Sequence, residues 1–330
     1  MPGRGTAAGP TVLTTQHSAA PAPPRVFIIL ATYNGAAFLP EQLASIAAQD
    51  HPRWILLWRD DGSLDETRAM MHGFTAAQPQ GQVEQVVATD AHLGAAGSFM
   101  VLLAEAASRM EPGDLLAFAD QDDVWLPGKL SRAIAAVMAC PPERPTLYSA
   151  RQVLVDAQLR RIALSVPVRP PPGFPACLTQ NLATGCTVLM NRAAALLVAA
   201  STRPAGCQHD WWTYIVVTAA GGRFLIDDEA VVLYRQHQGN LVGAPRSMFR
   251  RAVAALRRGP ALFMALLRQN VAALEAQSHI LTPEARGELE CIRAGLSGGP
   301  LRRWRALRRP GLRRQTWAEQ VLFRIWFMFG

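Results

Sequence analysis

The chain has 330 residues, enough to bury a large core as one main domain with an appendage. Half of it is hydrophobic and 18% is charged. It has no run of 18 uninterrupted apolar residues and no basic start followed by a clean apolar core, which argues against a transmembrane helix and a signal peptide.

No Walker loop, GxGxxG or HExxH occurs, which sets aside the commonest nucleotide-fold and zinc-protease readings. Five cysteines (Cys140, Cys177, Cys186, Cys207, Cys291) show no CxxC spacing. They read as reduced thiols of a cytosolic protein, small and buried. The net charge of +8 is uneven. From Ala244 onward 16 arginines stand against 5 glutamates, net +11, which leaves −3 for residues 1–243. Lys129 is the only lysine.

Residues 1–24, rich in Ala, Pro, Gly and Thr, read as a disordered leader. Arg25 to Ala31 is a continuous apolar run and predicts a buried strand. Thr32-Tyr33-Asn34-Gly35 is turn chemistry, and Phe38, Leu39, Leu43 and Ile46 mark a helix face. Trp54 to Trp58 predicts a second strand, closed by Arg59-Asp60-Asp61-Gly62-Ser63. Ser63 and Glu66 have capping-box spacing, so a helix is expected from about Leu64. A third strand follows at Val83 to Ala88, a loop and helix at Gly94 to Arg109, and a fourth strand at Asp114 to Ala119. Lys129 to Ala139 is helical, with Pro127 near its start.

Farther on, Pro167 to Pro175 predicts a rigid loop, Gly185 to Met190 a strand, and His209 to Val217 a helix. Arg223 to Ile226 and Glu229 to Tyr234 predict two short strands. After Gly243 the texture is helical and arginine-rich. Strands alternating with helices of these lengths predict an α/β fold with a parallel sheet and βαβ crossovers.

In that sheet Asp60/Asp61 and Asp120/Asp122/Asp123 follow strand ends on one edge. Open α/β sheets bind ligands at that edge. Clustered carboxylates resist burial unless a cation compensates them, and hard oxygens suit Mg2+ or Mn2+. The expected ligand is metal plus phosphate.

Seven segments occur in order: ATYNG (31–35), DDGSLD (60–65), LG (93–94), ADQDDVW (119–125), TGC (184–186), HDWW (209–212) and YRQH (234–237). Together, over Val26 to Val242, they resemble the inverting glycosyltransferases of family 2, whose fold is GT-A. This is a Rossmann-like, mostly parallel sheet flanked by helices, here with a C-terminal helical appendage. DQDDVW, HDWW and YRQH look most like the rhamnosyltransferase-type branch of bacterial surface polysaccharide synthesis. Two places depart from that branch: Ser98 stands where a longer amide is usual, and Trp58-Arg59 where small or aliphatic residues are commoner.

The resemblance implies residue roles. Asp120 faces the donor ribose and Asp122 holds the metal, with Asp123 and His237 as further ligands. Asp60 and Asp61 read the nucleotide base beside Thr32 and Tyr33. Arg235 neutralises the diphosphate, Asp210 is the base, and Trp211 and Trp212 bind acceptor. The implied partners are a dTDP- or UDP-sugar and a saccharide or lipid-linked acceptor. The alternatives are an inactive glycan- or membrane-binding module, or a nucleotidyltransferase. The latter would favour a Gly-rich basic loop, which is not found.

The division expected is a leader at 1–24, a GT-A domain at 25–243, and an arginine-rich helical region at 244–330. In that last region Met248, Phe249, Val253 and Leu256 lie near one helix face, with arginines largely on others. Such a helix suits an anionic membrane surface, and residues 320–330 are long enough to enter its interface but not to span. Nucleic-acid binding is the rival reading, but no nucleic-acid motif accompanies the charge, so none is expected. A solvated helical appendage is the plainest alternative. The expected location is cytoplasmic, or peripheral at the inner face of the plasma membrane.

Overall fold

The computed structural model describes residues 22–88, 91–168, 173–237 and 248–330, with side chains described from residue 260 in the last stretch. The N-terminal half alternates β1 (Val26–Thr32), α1 (Leu39–Ala47), β2 (Trp54–Asp60), α2 (Thr67–Ala77), β3 (Val83–Gln85), α3 (Gly94–Arg109), β4 (Leu115–Ala119), β5 (Val124–Trp125) and α4 (Lys129–Met138). After it come β6 (Thr146–Val155), β7 (Arg161–Leu164), β8 (Leu189–Asn191), α5 (Arg192–Ala199), α6 (His209–Ala219) and β9 (Arg223–Arg235). Four helices close the chain: α7 (Met248–Ala276), α8 (Pro283–Leu296), α9 (Pro300–Leu307) and α10 (Trp317–Phe329).

β1 explains the sheet's form. Phe27 and Ile29 enter one hydrophobic cluster, while Val26, Ile28 and Leu30 enter another on the opposite face. Successive side chains of a strand alternate faces, so a strand covered on both sides must be apolar throughout. The strand order is β3-β2-β1-β4-β8-β6-β9-β5, with β7 on β6. β3, β2, β1 and β4 are mutually parallel, and β6 is parallel to β9. β8 runs antiparallel between β4 and β6. The chain moves outward from β1 to β3 and then returns to β4 on the other side of β1. The crevice between the carboxyl ends of β1 and β4 is therefore a topological switch point, where such sheets bind ligands.

Four local expectations are corrected. The helix expected from Leu64 starts at Thr67, and its preceding Glu66 makes no side-chain cap. Ser63 instead accepts the Asn34 N–H at 2.9 Å and donates to Asp60. The strand expected over 83–88 ends at Gln85. Gly185–Thr187 is a short 3-10 turn, with the strand confined to Leu189–Asn191. The two strands expected over 223–234 are one, β9, whose pairing with β6 shifts register around Arg151.

The C-terminal helices belong to the same core as the sheet. Met264, Leu267, Leu289, Phe323 and Phe327 share one buried cluster with Phe27, Phe118 and Trp212. The division expected at 243/244 lies outside the described residues, as do most of the expected leader, residues 169–172 of the proline-rich loop, and the side chains of Met248 to Arg258.

Candidate active site

A cleft of about 630 Å³ opens at the switch point. Its walls come from the ends of β1 and β4, the first turn of α3, the middle of β6, the loop 181–185 and the start of α6. Thr32, Tyr33, Asp61, Asp120, Asp122 and Asp210 all line it. Gln121 joins two walls: its side chain accepts the Tyr33 N–H at 2.9 Å and donates to the Tyr33 carbonyl at 3.0 Å.

Asp61 is the hub of one end. Its Oδ1 accepts from Arg59 at 2.5 Å and from the Leu93 N–H at 2.8 Å. Its Oδ2 accepts from the Gly94 N–H at 2.7 Å and faces His92 Nδ1 at 2.9 Å. Burial alone would raise its pKa, but the Leu93 amide, Arg59 and the Gly94 amide hold it below the usual range. The His92 Nδ1 is itself hydrogen-bonded to the Asp61 main-chain carbonyl at 2.8 Å, so Arg59 and the two amides take three of the carboxylate's roughly four acceptor sites. The expected reading of a base N–H by Asp61 is thus narrowed to one remaining acceptor site on Oδ2, beside exposed His92. Arg59 also donates to Ser98 Oγ at 2.7 Å.

Asp60 is outside the cleft wall and holds the loop together. It accepts from Thr32 Oγ1 at 3.1 Å, the Ser63 N–H at 2.9 Å and Arg68 at 2.6 Å. Its expected donor contact is corrected to loop support. Thr32 lines the cleft but is 1% exposed, whereas the Tyr33 ring is exposed at the mouth, 5.0 Å from the His92 ring.

At the centre, Asp122 Oδ2 meets His237 Nε2 at 2.7 Å. Burial, then the charges of Asp122 and Asp210, push Asp120 up to about 8. Burial is the larger cause and the two neighbouring carboxylates add to it, against Lys129. A carboxylate paired with an imidazole beside a second carboxyl group is a donor set that fits a divalent cation. Asp123 lies apart from the Asp122–His237 pair. It is fully buried, accepts the Arg235 backbone N–H at 3.1 Å, and groups with Asp120 and Cys186 beneath the cleft.

Lys129, 1% exposed, lies near these acids and 3.4 Å from the Trp125 ring centroid, and burial pushes it down to about 7. Neither Lys129 Nζ nor Asp123 Oδ2 has a hydrogen-bond partner among the described residues, and Asp123 with Asp120 and Cys186 forms a group that could hold a metal ion, so the expected ligand role of Asp123 stays a proposal.

Arg235 is corrected too. Its side chain is buried, donating to the Asp122 carbonyl at 2.8 Å and to Glu41 at 2.9 Å, with Phe38 4.6 Å beneath. It clamps the acidic loop rather than reaching a diphosphate.

At the far end Asp210 opens α6. Its Oδ1 accepts the Trp211 N–H at 2.6 Å and its Oδ2 the Gly185 N–H at 3.2 Å. Burial pushes it up to about 6 despite these bonds and one from Asn181. A Cβ on Gly185 would stand 3.3 Å from His209 Nε2 and 3.6 Å from Asp210, so a glycine lets the loop approach the base closely.

Trp211 and Trp212 do not face the cleft. The Trp212 indole is fully buried and donates to Ser201 at 2.8 Å, and that of Trp211 donates to the Cys177 carbonyl at 2.7 Å. Their expected acceptor role is corrected to packing.

Three cleft residues went unassigned in the sequence. His209 stacks on Phe99 at 3.9 Å, and among the described residues neither of its ring nitrogens has a hydrogen-bond partner. Burial drives its pKa down to about 3, so it is neutral. The only signal was its place in HDWW. Asn181 and Arg151 sit in a loop and a strand that no periodicity marked.

Residues 27–142 match the family model described as "Glycosyl transferase family 2". The dTDP-rhamnosyl transferase RfbG of Shigella flexneri is 26% identical over 65% of this chain and 74% of that protein. The UDP-Glc:alpha-D-GlcNAc-diphosphoundecaprenol beta-1,3-glucosyltransferase WfgD of Escherichia coli is 29% identical over 34% of this chain and 41% of that protein. Among solved structures, GalNAc-T7 with UDP, GalNAc and Mn2+ superposes with a TM-score of 0.50 at 12% identity, covering 84% of this chain and 52% of that one. The switch-point cleft, its carboxylates and these likenesses agree: the chain carries a glycosyl transferase family 2 domain over residues 27–142 and has the GT-A glycosyltransferase fold.

Proposed function

We propose that the protein moves a sugar from a nucleoside-diphosphate donor to a saccharide or lipid-linked acceptor in bacterial surface polysaccharide synthesis, with inversion at the anomeric carbon. L-rhamnose from a dTDP donor is the first donor to test, because RfbG is a dTDP-rhamnosyl transferase. The observation that carries the reading is convergence. Carboxylates at 61, 120, 122 and 210, from separate parts of the chain, line one cleft.

In this reading the nucleotide lies at the Tyr33 and Asp61 end. Asp120 faces the ribose, and Asp122 with His237 would hold Mg2+ or Mn2+. The ion would supply Lewis-acid compensation for the charge of the leaving diphosphate. Asp210 takes the acceptor hydroxyl proton as that oxygen attacks from the face opposite the leaving group. A single displacement inverts the configuration. A carboxylate raised to about 6 suits the task, being ionised at neutral pH yet more basic than a free one. The enzyme would work at the inner face of the plasma membrane as a peripheral protein, where lipid-linked acceptors lie.

The test is turnover of a nucleotide-sugar panel with and without EDTA, with product anomers assigned by NMR. The reading predicts cation-dependent transfer and an inverted anomer. Retention of configuration, or full activity in excess EDTA, would contradict it.

A further inference from the structure

The last helix is apolar on two sides. One face of α10 carries Phe323, Trp326 and Phe327 into the core. On the other side Trp317, Val321, Ile325 and Phe329 recur every four residues and so form one stripe. Trp317 is 82% and Phe329 84% exposed. The neighbouring α9 adds exposed Leu301 and Trp304, and Arg303 ties it to α10 by donating to the Met328 carbonyl at 2.8 Å.

A surface helix normally turns charge outward, so this stripe calls for an apolar occupant. α10 is also a well-made helix. Thr316 caps it by accepting the Glu319 N–H at 3.2 Å.

Charge identifies the occupant. Residues 297–330 hold eight arginines against one acid, Glu319, net +7. Glu319 is buried, whereas Arg302, Arg305, Arg308, Arg313 and Arg324 are exposed. The Arg308 guanidinium lies over the Trp304 ring at 4.6 Å. A second copy would bring the same positive charge against itself. Exposed aromatic rings set among arginines match the interface of an anionic bilayer, where rings enter the headgroup boundary and arginines meet phosphate. Among the described residues no helix is long and apolar enough to cross a membrane, so the contact is lateral.

We infer that the outer face of α10, with the adjoining end of α9, is the surface by which the protein docks on anionic lipid. This rests on the reading of a lipid-linked acceptor and places the docking surface on a defined stripe.

The test is flotation of the full chain with vesicles of phosphatidylglycerol and phosphatidylcholine, or of phosphatidylcholine alone, at low and high salt. Binding to the anionic vesicles only, weakened by salt, is expected. The double variant Trp317→Ser/Phe329→Ser should weaken it by about tenfold or more. dTDP or UDP binding should be unchanged in the variant, which shows the cleft still folded. The inference is overturned if the full chain stays in solution with anionic vesicles at low salt. It fails equally if the folded double variant floats like wild type, if the stripe instead mediates a dimer that the variant abolishes, or if nucleic acid binds more tightly than vesicles. Transfer to a water-soluble acceptor is read separately: its absence counts against the proposed reaction, and failure of the full wild-type chain to float counts against the docking surface alone.

Discussion

At the scale of single residues, two departures from the rhamnosyltransferase-like pattern prove to be one. Arg59 reaches both Asp61 and Ser98, and the shorter Ser98 side chain is bonded by the guanidinium. Arg59 and Asp61 are both nearly inaccessible. Arg59→Ala would leave a buried carboxylate without its cation, and a loss of about 3 kcal/mol in denaturant unfolding is expected. His92 is the exposed partner of Asp61. Removing it in His92→Ala should uncover the remaining Asp61 acceptor site and tighten UDP or dTDP binding by about fivefold, the worth of one hydrogen bond. Isothermal titration reads this directly, and weaker binding would show that His92 itself holds the nucleotide. The raised Asp210 gives a pH profile. The base works deprotonated, so transfer should rise with pH through about 6 and level off above it. Such a limb should be absent from donor binding.

At the scale of elements, the strands buried on both faces were legible because burial leaves no polar position in them. β1, β2 and β4 were found within a few residues for that reason. β6 was missed because its TLYSARQVLV mixes polar side chains that face the cleft into a buried strand. The DDGS loop misled for a related reason: Ser63 has cap spacing but serves the loop, a tertiary partner that sequence spacing cannot show. The carboxylates were legible from their strand-end context. The partners that sort them were not, since Arg235 and Asp123 meet across 112 positions. Arg235 now reads as the clamp that sets the Asp122 loop. Arg235→Lys keeps the charge but loses the planar fork. Metal affinity and turnover should fall about 10- to 100-fold with the fold intact, measured by Mn2+ titration beside circular dichroism. Unchanged metal affinity would remove the clamp from the account.

At the scale of the whole molecule, the C-terminal helices are more than an attachment. Their apolar residues share a cluster with α6 and with the sheet. Deleting residues 244–330 should therefore leave Trp212 and its neighbours exposed and yield an unstable, aggregating fragment, as light scattering would detect. A fragment that stays monomeric and binds donor normally would contradict that shared core. The same helices carry the basic charge, so the molecule is acidic where it handles a donor and basic where lipid would lie. The central proposal is that this cleft transfers sugar with Asp210 as its base. Its most direct test is Asp210→Asn assayed with donor and acceptor, with donor affinity measured in the same preparation. The account predicts turnover lower by about 10²-fold or more with donor affinity nearly unchanged. Wild-type turnover, or a loss of donor affinity as large as the loss of rate, would contradict it.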